Sequence, residues 1–118
     1  MGKRTKPVRM QVWPYGNHVA VCFNQTSFER EVSKMTGNKF ELPHRRMEGI
    51  TMQLDCKTEA SVMVIGWFDP YRLSTLAHEA SHCAFRICGC TGVILEPDNN
   101  EAHAYMLSYI IDRVIGEK

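Results

Sequence analysis

The sequence predicts one α+β domain. Short runs that alternate or are rich in β-branched residues, "RMQVW", "HVAVCF", "GITMQLDCK" and "SVMVIGWF", read as strands. Two stretches in the C-terminal half instead carry a helical period. The order is strands, helix, strands, then two helices, and that order belongs to the α+β class. The 118 residues suit a single domain, 1–118, with one modest core.

The first two strands are separated by the turn-rich "PYGN", so they are expected to form a hairpin. "SFEREVSKM" follows with Ser27 as a candidate N-cap and Gly37 just past its end. Phe28, Val32 and Met35 make an apolar stripe there, the signature of a short helix. "NKFELPHRRMEG" is expected to be loop, because Pro43 interrupts regular structure. "GITMQLDCK" alternates and reads as a third strand, whereas "SVMVIGWF" is apolar almost throughout, as a buried strand is. After Asp69-Pro70 a helix is expected from about Leu73 to Cys88, with Gly89 as its stop. Asp98, Asn99 and Asn100 are cap candidates for a last helix from about Glu101 to Ile115.

Composition excludes several classes. Apolar residues make up 44% and charged residues 23%, as in ordinary soluble domains. A net charge of +1 gives no global pull toward nucleic acid or an acidic surface. "GKRTKPVR" is locally basic, and residues 1–9 are expected to be a flexible, solvated arm, so nucleic acid is not an expected partner. No apolar run is long enough for a membrane span or a secretory leader. Five cysteines, an odd number without such a leader, argue against a disulfide framework and for a reducing cytoplasm.

One stretch carries chemistry: "LAHEASHCAF". On a helix, His78 and His82 lie about 40° apart on one face, one turn from each other. Two neutral imidazoles so placed can reach one metal ion. Glu79 lies about 60° to the side of His82, too far round to be a third ligand easily, but able to reach a water on the metal. Two nitrogen ligands plus an adjacent carboxylate base is what the H-E-x-x-H spacing supplies to a zinc hydrolase. Leu73, Leu76, Ala77, Ala80, Ala84 and Ile87 form the opposite, apolar side of that helix.

A catalytic zinc usually has three protein ligands. Glu101 ranks first as the third, because it opens a helix that a short connection returns antiparallel to the histidine helix. Cys88 ranks second and Cys90 third, since an unbroken helix turns Cys88 away from the histidines. Tyr105, one turn after Glu101, is a candidate oxyanion donor. His103 is expected to be a packed histidine, and His18 and His44 to lie on the surface. Trp13, Trp67, Phe68 and Phe85 are expected in the core.

The stretches "WFDPYRLSTLAHEASH" and "NNEAHAYMLSY" resemble the zincin superfamily. They are most similar to its small gluzincin-like members encoded by tailed bacteriophages and prophages. The likeness covers roughly residues 62 to 115. It implies a minimal zincin fold, a small twisted and mainly antiparallel sheet with the active-site helix on one face and the C-terminal helix packed beside it. It also implies a zinc site of His78, His82 and Glu101, with Glu79 as general base.

Two functions follow as expectations, beside a weaker third, a nucleic-acid-linked protein that binds phosphates through "GKRTKPVR", against which the nearly neutral overall charge counts. The first is a Zn2+-dependent hydrolase, most simply a metallopeptidase. Glu79 would take a proton from a zinc-activated water and pass it to the leaving amine. An extended peptide substrate would add to a sheet edge supplied by "SVMVIGWF" or "GITMQLDCK". The second is a non-catalytic, zinc-stabilised binding protein of phage assembly or of a host-protein contact. The first is favoured because no structural role for Glu79 is legible in the sequence. If phage-encoded, the protein would work in the host cytoplasm.

Overall fold

The computed structural model describes residues 6–13, 16–44, 46–54, 62–92, 95–96 and 100–116. It contains four strands and three helices in the order β1 (Val8–Val12), β2 (Asn17–Cys22), α1 (Gln25–Thr36), β3 (Gly49–Leu54), β4 (Val62–Trp67), α2 (Leu73–Thr91) and α3 (Glu101–Gly116). The α+β class read from the sequence is the class observed.

The strands form one sheet in the order β1-β2-β4-β3. β1 and β2 make the expected antiparallel hairpin, closed by Gly16 in the left-handed region at φ 73. β3 and β4 pair antiparallel as well. The inner strands β2 and β4 run parallel, so the sheet is mixed, with two antiparallel pairings and one parallel. α1 makes the crossover between the two hairpins that a parallel pair requires.

Strand alternation divides the side chains between two cores. Val19, Val21, Met63, Ile65 and Trp67 face α2 and α3 together with Val8, Met10 and Val12 of β1. Cys22, Val64, Leu54 and Phe68 face α1, where Phe28 and Val32 meet them. β4 is therefore covered on both sides, and its nearly uninterrupted apolar run is the consequence. Each large side chain buried this way contributes about 1.5–3 kcal/mol.

Several local details depart from the sequence reading. β1 starts at Val8, so Val8 and Arg9 belong to the sheet rather than to the basic arm. Arg9 makes a two-pronged ion pair with the buried Glu31 of α1, with Nη2 to Oε1 at 2.8 Å. The N-cap of α1 is Asn24, whose Oδ1 accepts the Ser27 amide at 2.8 Å. Ser27 is buried within the first turn instead. Gly37 closes the helix in the left-handed region, as expected, but Met35 lies on the solvent side.

α2 runs past Gly89 to Thr91 and is capped by Gly92 at φ 77. Ile87 and Cys88 are buried just before Gly89, and their packing holds the last turn despite the weak helix propensity of glycine. The buried side of α2 is Leu76, Ala80, Cys83, Ala84, Ile87 and Cys88. Leu73, expected there, is 64% exposed at the first turn. Trp13 and Phe85 are also exposed rather than core, whereas Trp67 and Phe68 are buried as expected. Asn100 begins α3, its carbonyl accepting the Ala104 amide at 3.1 Å; the other cap candidates, Asp98 and Asn99, lie outside the described residues. No helix is long and apolar enough to cross a membrane among the described residues.

Candidate metal centre

α2 lies on the sheet with its apolar side down, which turns His78 and His82 outward. Their Nε2 atoms stand 3.1 Å apart, and the rings are nearly perpendicular at 86°. Two nitrogens about 2.0–2.1 Å from one tetrahedral ion stand about 3.3 Å apart. The imidazole pair therefore fits two corners of a zinc tetrahedron.

Glu79 occupies the boundary between the exposed and the buried side of α2, and it is only 8% exposed. Thr51 of β3 donates its hydroxyl to Glu79 Oε1 at 2.7 Å, and the same Oγ1 lies 3.0 Å from the Glu79 carbonyl. β3 comes very close at this point. A Cβ on Gly49 would stand 2.7 Å from Thr75 Cγ2 and 2.9 Å from Glu79 Cγ, so no larger residue fits without a shift. Glu79 thus has the structural partner that the sequence did not disclose. The expectation that it has no structural role is corrected.

An open cleft of about 520 Å³ reaches His78 and Glu79. Its walls are Arg46 and Glu48 before β3, and Ser74 and Thr75 in the first turn of α2. The Glu48 carboxylate accepts from Arg72 Nε at 3.1 Å across one end. A second groove, of about 440 Å³, lies on the β1–β2 hairpin beside Arg9, His18 and Met35 and shares no lining residue with this cleft.

The remaining candidates are placed as follows. Glu101 is exposed at the start of α3. Among the described residues no three His, Cys, Asp or Glu side chains gather as a ligand set. Tyr105 packs edge-on against Trp13, with centroids 5.6 Å apart, and is not a wall of the cleft. Cys88 is buried in the core, where loss of hydration pushes its thiol pKa up. Cys90 is exposed, and Gln53 Nε2 donates to its Sγ at 2.8 Å. His103 is a packed histidine, as expected. Its ring lies tilted by 52° against Phe85 with centroids 4.4 Å apart, and its Nε2 lies 3.3 Å from the Ser81 carbonyl and 3.4 Å from the Ser81 hydroxyl.

The residues that sequence reasoning missed are Gly49 and Thr51. A signal was present in "GITMQL": Gly49, Thr51 and Gln53 are small or polar, while Ile50, Met52 and Leu54 are apolar. The alternation states that one side of the strand faces something polar, but not which residue. No protein family, curated protein or solved structure matches the chain, so what this centre can do is read from its own geometry.

Proposed function

We propose that the protein is a zinc-dependent hydrolase acting on peptide bonds. The observation that carries this reading is the convergence of His78 and His82 Nε2 at 3.1 Å, with Glu79 held by Thr51 in the cleft that His78 also lines. His78 and His82 are two ligands, and Glu101 is the third. Packing supports the choice of Glu101. His103, two residues on, lies against Ser81 and Phe85, which brings the first turn of α3 beside the histidine-bearing turns of α2.

Zinc, when bound, supplies Lewis acidity and acidifies water. Glu79 takes the proton of the attacking water and delivers it to the leaving amine. Its Oε1 is occupied by Thr51, so Oε2 is the oxygen that handles the proton. The oxyanion role expected of Tyr105 is not used, because its ring is held against Trp13. A peptide reaches the cleft most simply by pairing with β3. Of the two strands considered from sequence, β3 is the edge and β4 is interior.

Elemental mass spectrometry of the purified protein tests the centre. About one zinc per chain is expected, lost in His78→Ala and Glu101→Ala and kept in Cys88→Ala. Glu79→Gln is expected to keep zinc and to lower cleavage of a peptide library by about a hundredfold or more. A parent chain that takes up no zinc when supplied overturns the reading, as does a Glu79→Gln variant that cleaves at the parent's rate. A zinc-loaded parent that cleaves nothing, but unfolds more easily as His78→Ala, identifies a zinc-stabilised binding protein instead.

A further inference from the structure

We propose that Gly49 and Thr51 of β3 are positioning residues that fix the Glu79 carboxylate, one oxygen held and the other free. The proposal rests on the reading of Glu79 as the base and extends it to the strand that supports it.

The other α2 side chains turned inward are apolar or thiol: Leu76, Ala80, Cys83, Ala84, Ile87 and Cys88. Glu79 is the buried carboxylate among them, and burying a carboxylate is unfavourable unless the charge is met by donors. β3 meets it in two ways. Glycine at position 49 lets the strand approach to a distance at which a Cβ would overlap Glu79 Cγ and Thr75 Cγ2. That approach puts the Thr51 hydroxyl 2.7 Å from Glu79 Oε1.

Thr51 has one hydroxyl proton and two acceptors within reach, the carboxylate at 2.7 Å and the Glu79 carbonyl at 3.0 Å. The shorter bond, to a charged acceptor, is the stronger. Rotation of the carboxylate is then restricted, since a turn about its last bond trades Oε1 for Oε2 and otherwise breaks the bond. Oε2 makes no bond to Thr51 and lies 3.2 Å from where a Gly49 Cβ would stand, so glycine at position 49 also leaves this oxygen uncrowded. A base held in one orientation avoids reorganisation when the proton moves, whereas a free glutamate side chain samples several rotamers.

The test compares Thr51→Val, Thr51→Ser and Gly49→Ala in the full zinc-loaded chain. Three quantities are read at one fixed pH: the Glu79 side-chain carboxyl 13C resonance, zinc affinity by chelator competition, and kcat on a peptide library. The resonance is assigned by its loss in Glu79→Gln. Thr51→Val is expected to move the resonance and lower kcat on the order of tenfold, with zinc affinity changed less than about twofold. Thr51→Ser is expected to restore both, and Gly49→Ala to move the resonance by pushing the side chain away.

A Thr51→Val protein with the parent's resonance and kcat overturns the proposal. So does a parallel loss of zinc affinity and kcat that Thr51→Ser fails to restore, because that is the mark of a general packing defect. If the parent itself binds no zinc or cleaves nothing, the proposed function fails. The resonance then still decides whether Thr51 holds the carboxylate.

Discussion

α2 meets the sheet along two strands, and the two contacts are built differently. Toward β4 and α3 it offers Leu76, Ala80, Cys83, Ala84 and Ile87 to Met63, Ile65, Trp67, Met106 and Ile110, all buried. Toward the edge strand β3 it offers Thr75 and Glu79 to Gly49 and Thr51, a contact of close backbone approach and one charge-assisted hydrogen bond. The first contact excludes water and is the source of stability. The second contributes little net stability, because the desolvation of Glu79 offsets its bond to Thr51. The helix is thus held by one side and presents the proposed base on the other.

Substitutions that act on one side only sharpen this contrast. The largest stability effect is expected at Leu76, which is fully buried. Leu76→Ala should cost about 3 kcal/mol in urea unfolding, while zinc content of the folded protein stays at the parent's level. If Leu76→Ala costs no more than Thr51→Val, the division between a stabilising and a chemical side is wrong.

A smaller effect is expected from alkaline pH, again through the apolar side. Burial pushes the Cys83 thiol up from 9.0 to about 12, and the Cys22 thiol, on the α1 side of the sheet, to about 11. Both stay protonated in the folded chain at a pH where the unfolded chain has ionised them. The stability they contribute is fully present below pH 9.0 and is lost as pH rises toward 12. The urea midpoint should therefore fall between about pH 8.5 and 10.5, and fall less in Cys83→Ala. An equal fall in both proteins would show that Cys83 is hydrated.

The smallest effect is expected at Leu73, which shares the helix but not the contact and is 64% exposed. Leu73→Gln should leave stability within about 0.5 kcal/mol of the parent. A loss near that of Leu76→Ala would mean that the first turn of α2 is covered by something in solution.

Much of this was legible in the sequence where the signal is local. The β1–β2 hairpin, the buried β4 and the outward pair His78 and His82 follow from periods of two and 3.6 residues and from turn chemistry. The tight core against α1 was legible in part, through Phe28 and Val32 but not Met35. Helix ends were less legible. Gly89 and Gly92 are both plausible stops, and burial of Ile87 and Cys88 chose the later one. The aromatic residues Trp13 and Phe85 could not be separated from Trp67 and Phe68 by residue type, because exposure depends on where α3 comes to rest.

What the sequence by itself determined is the class of the domain, the two histidines on one helix turn and a carboxylate between them. Covalent spacing and helix geometry suffice for that. Tertiary structure alone decided that β2 and β4 run parallel, that β3 is the edge beside α2, and that Tyr105 lies on Trp13. It alone also brought Gly49 and Thr51, which lie 30 and 28 residues before Glu79, against its side chain. Such contacts depend on strand register and on which helix face each sheet face selects, and both are settled by burial summed over the whole chain.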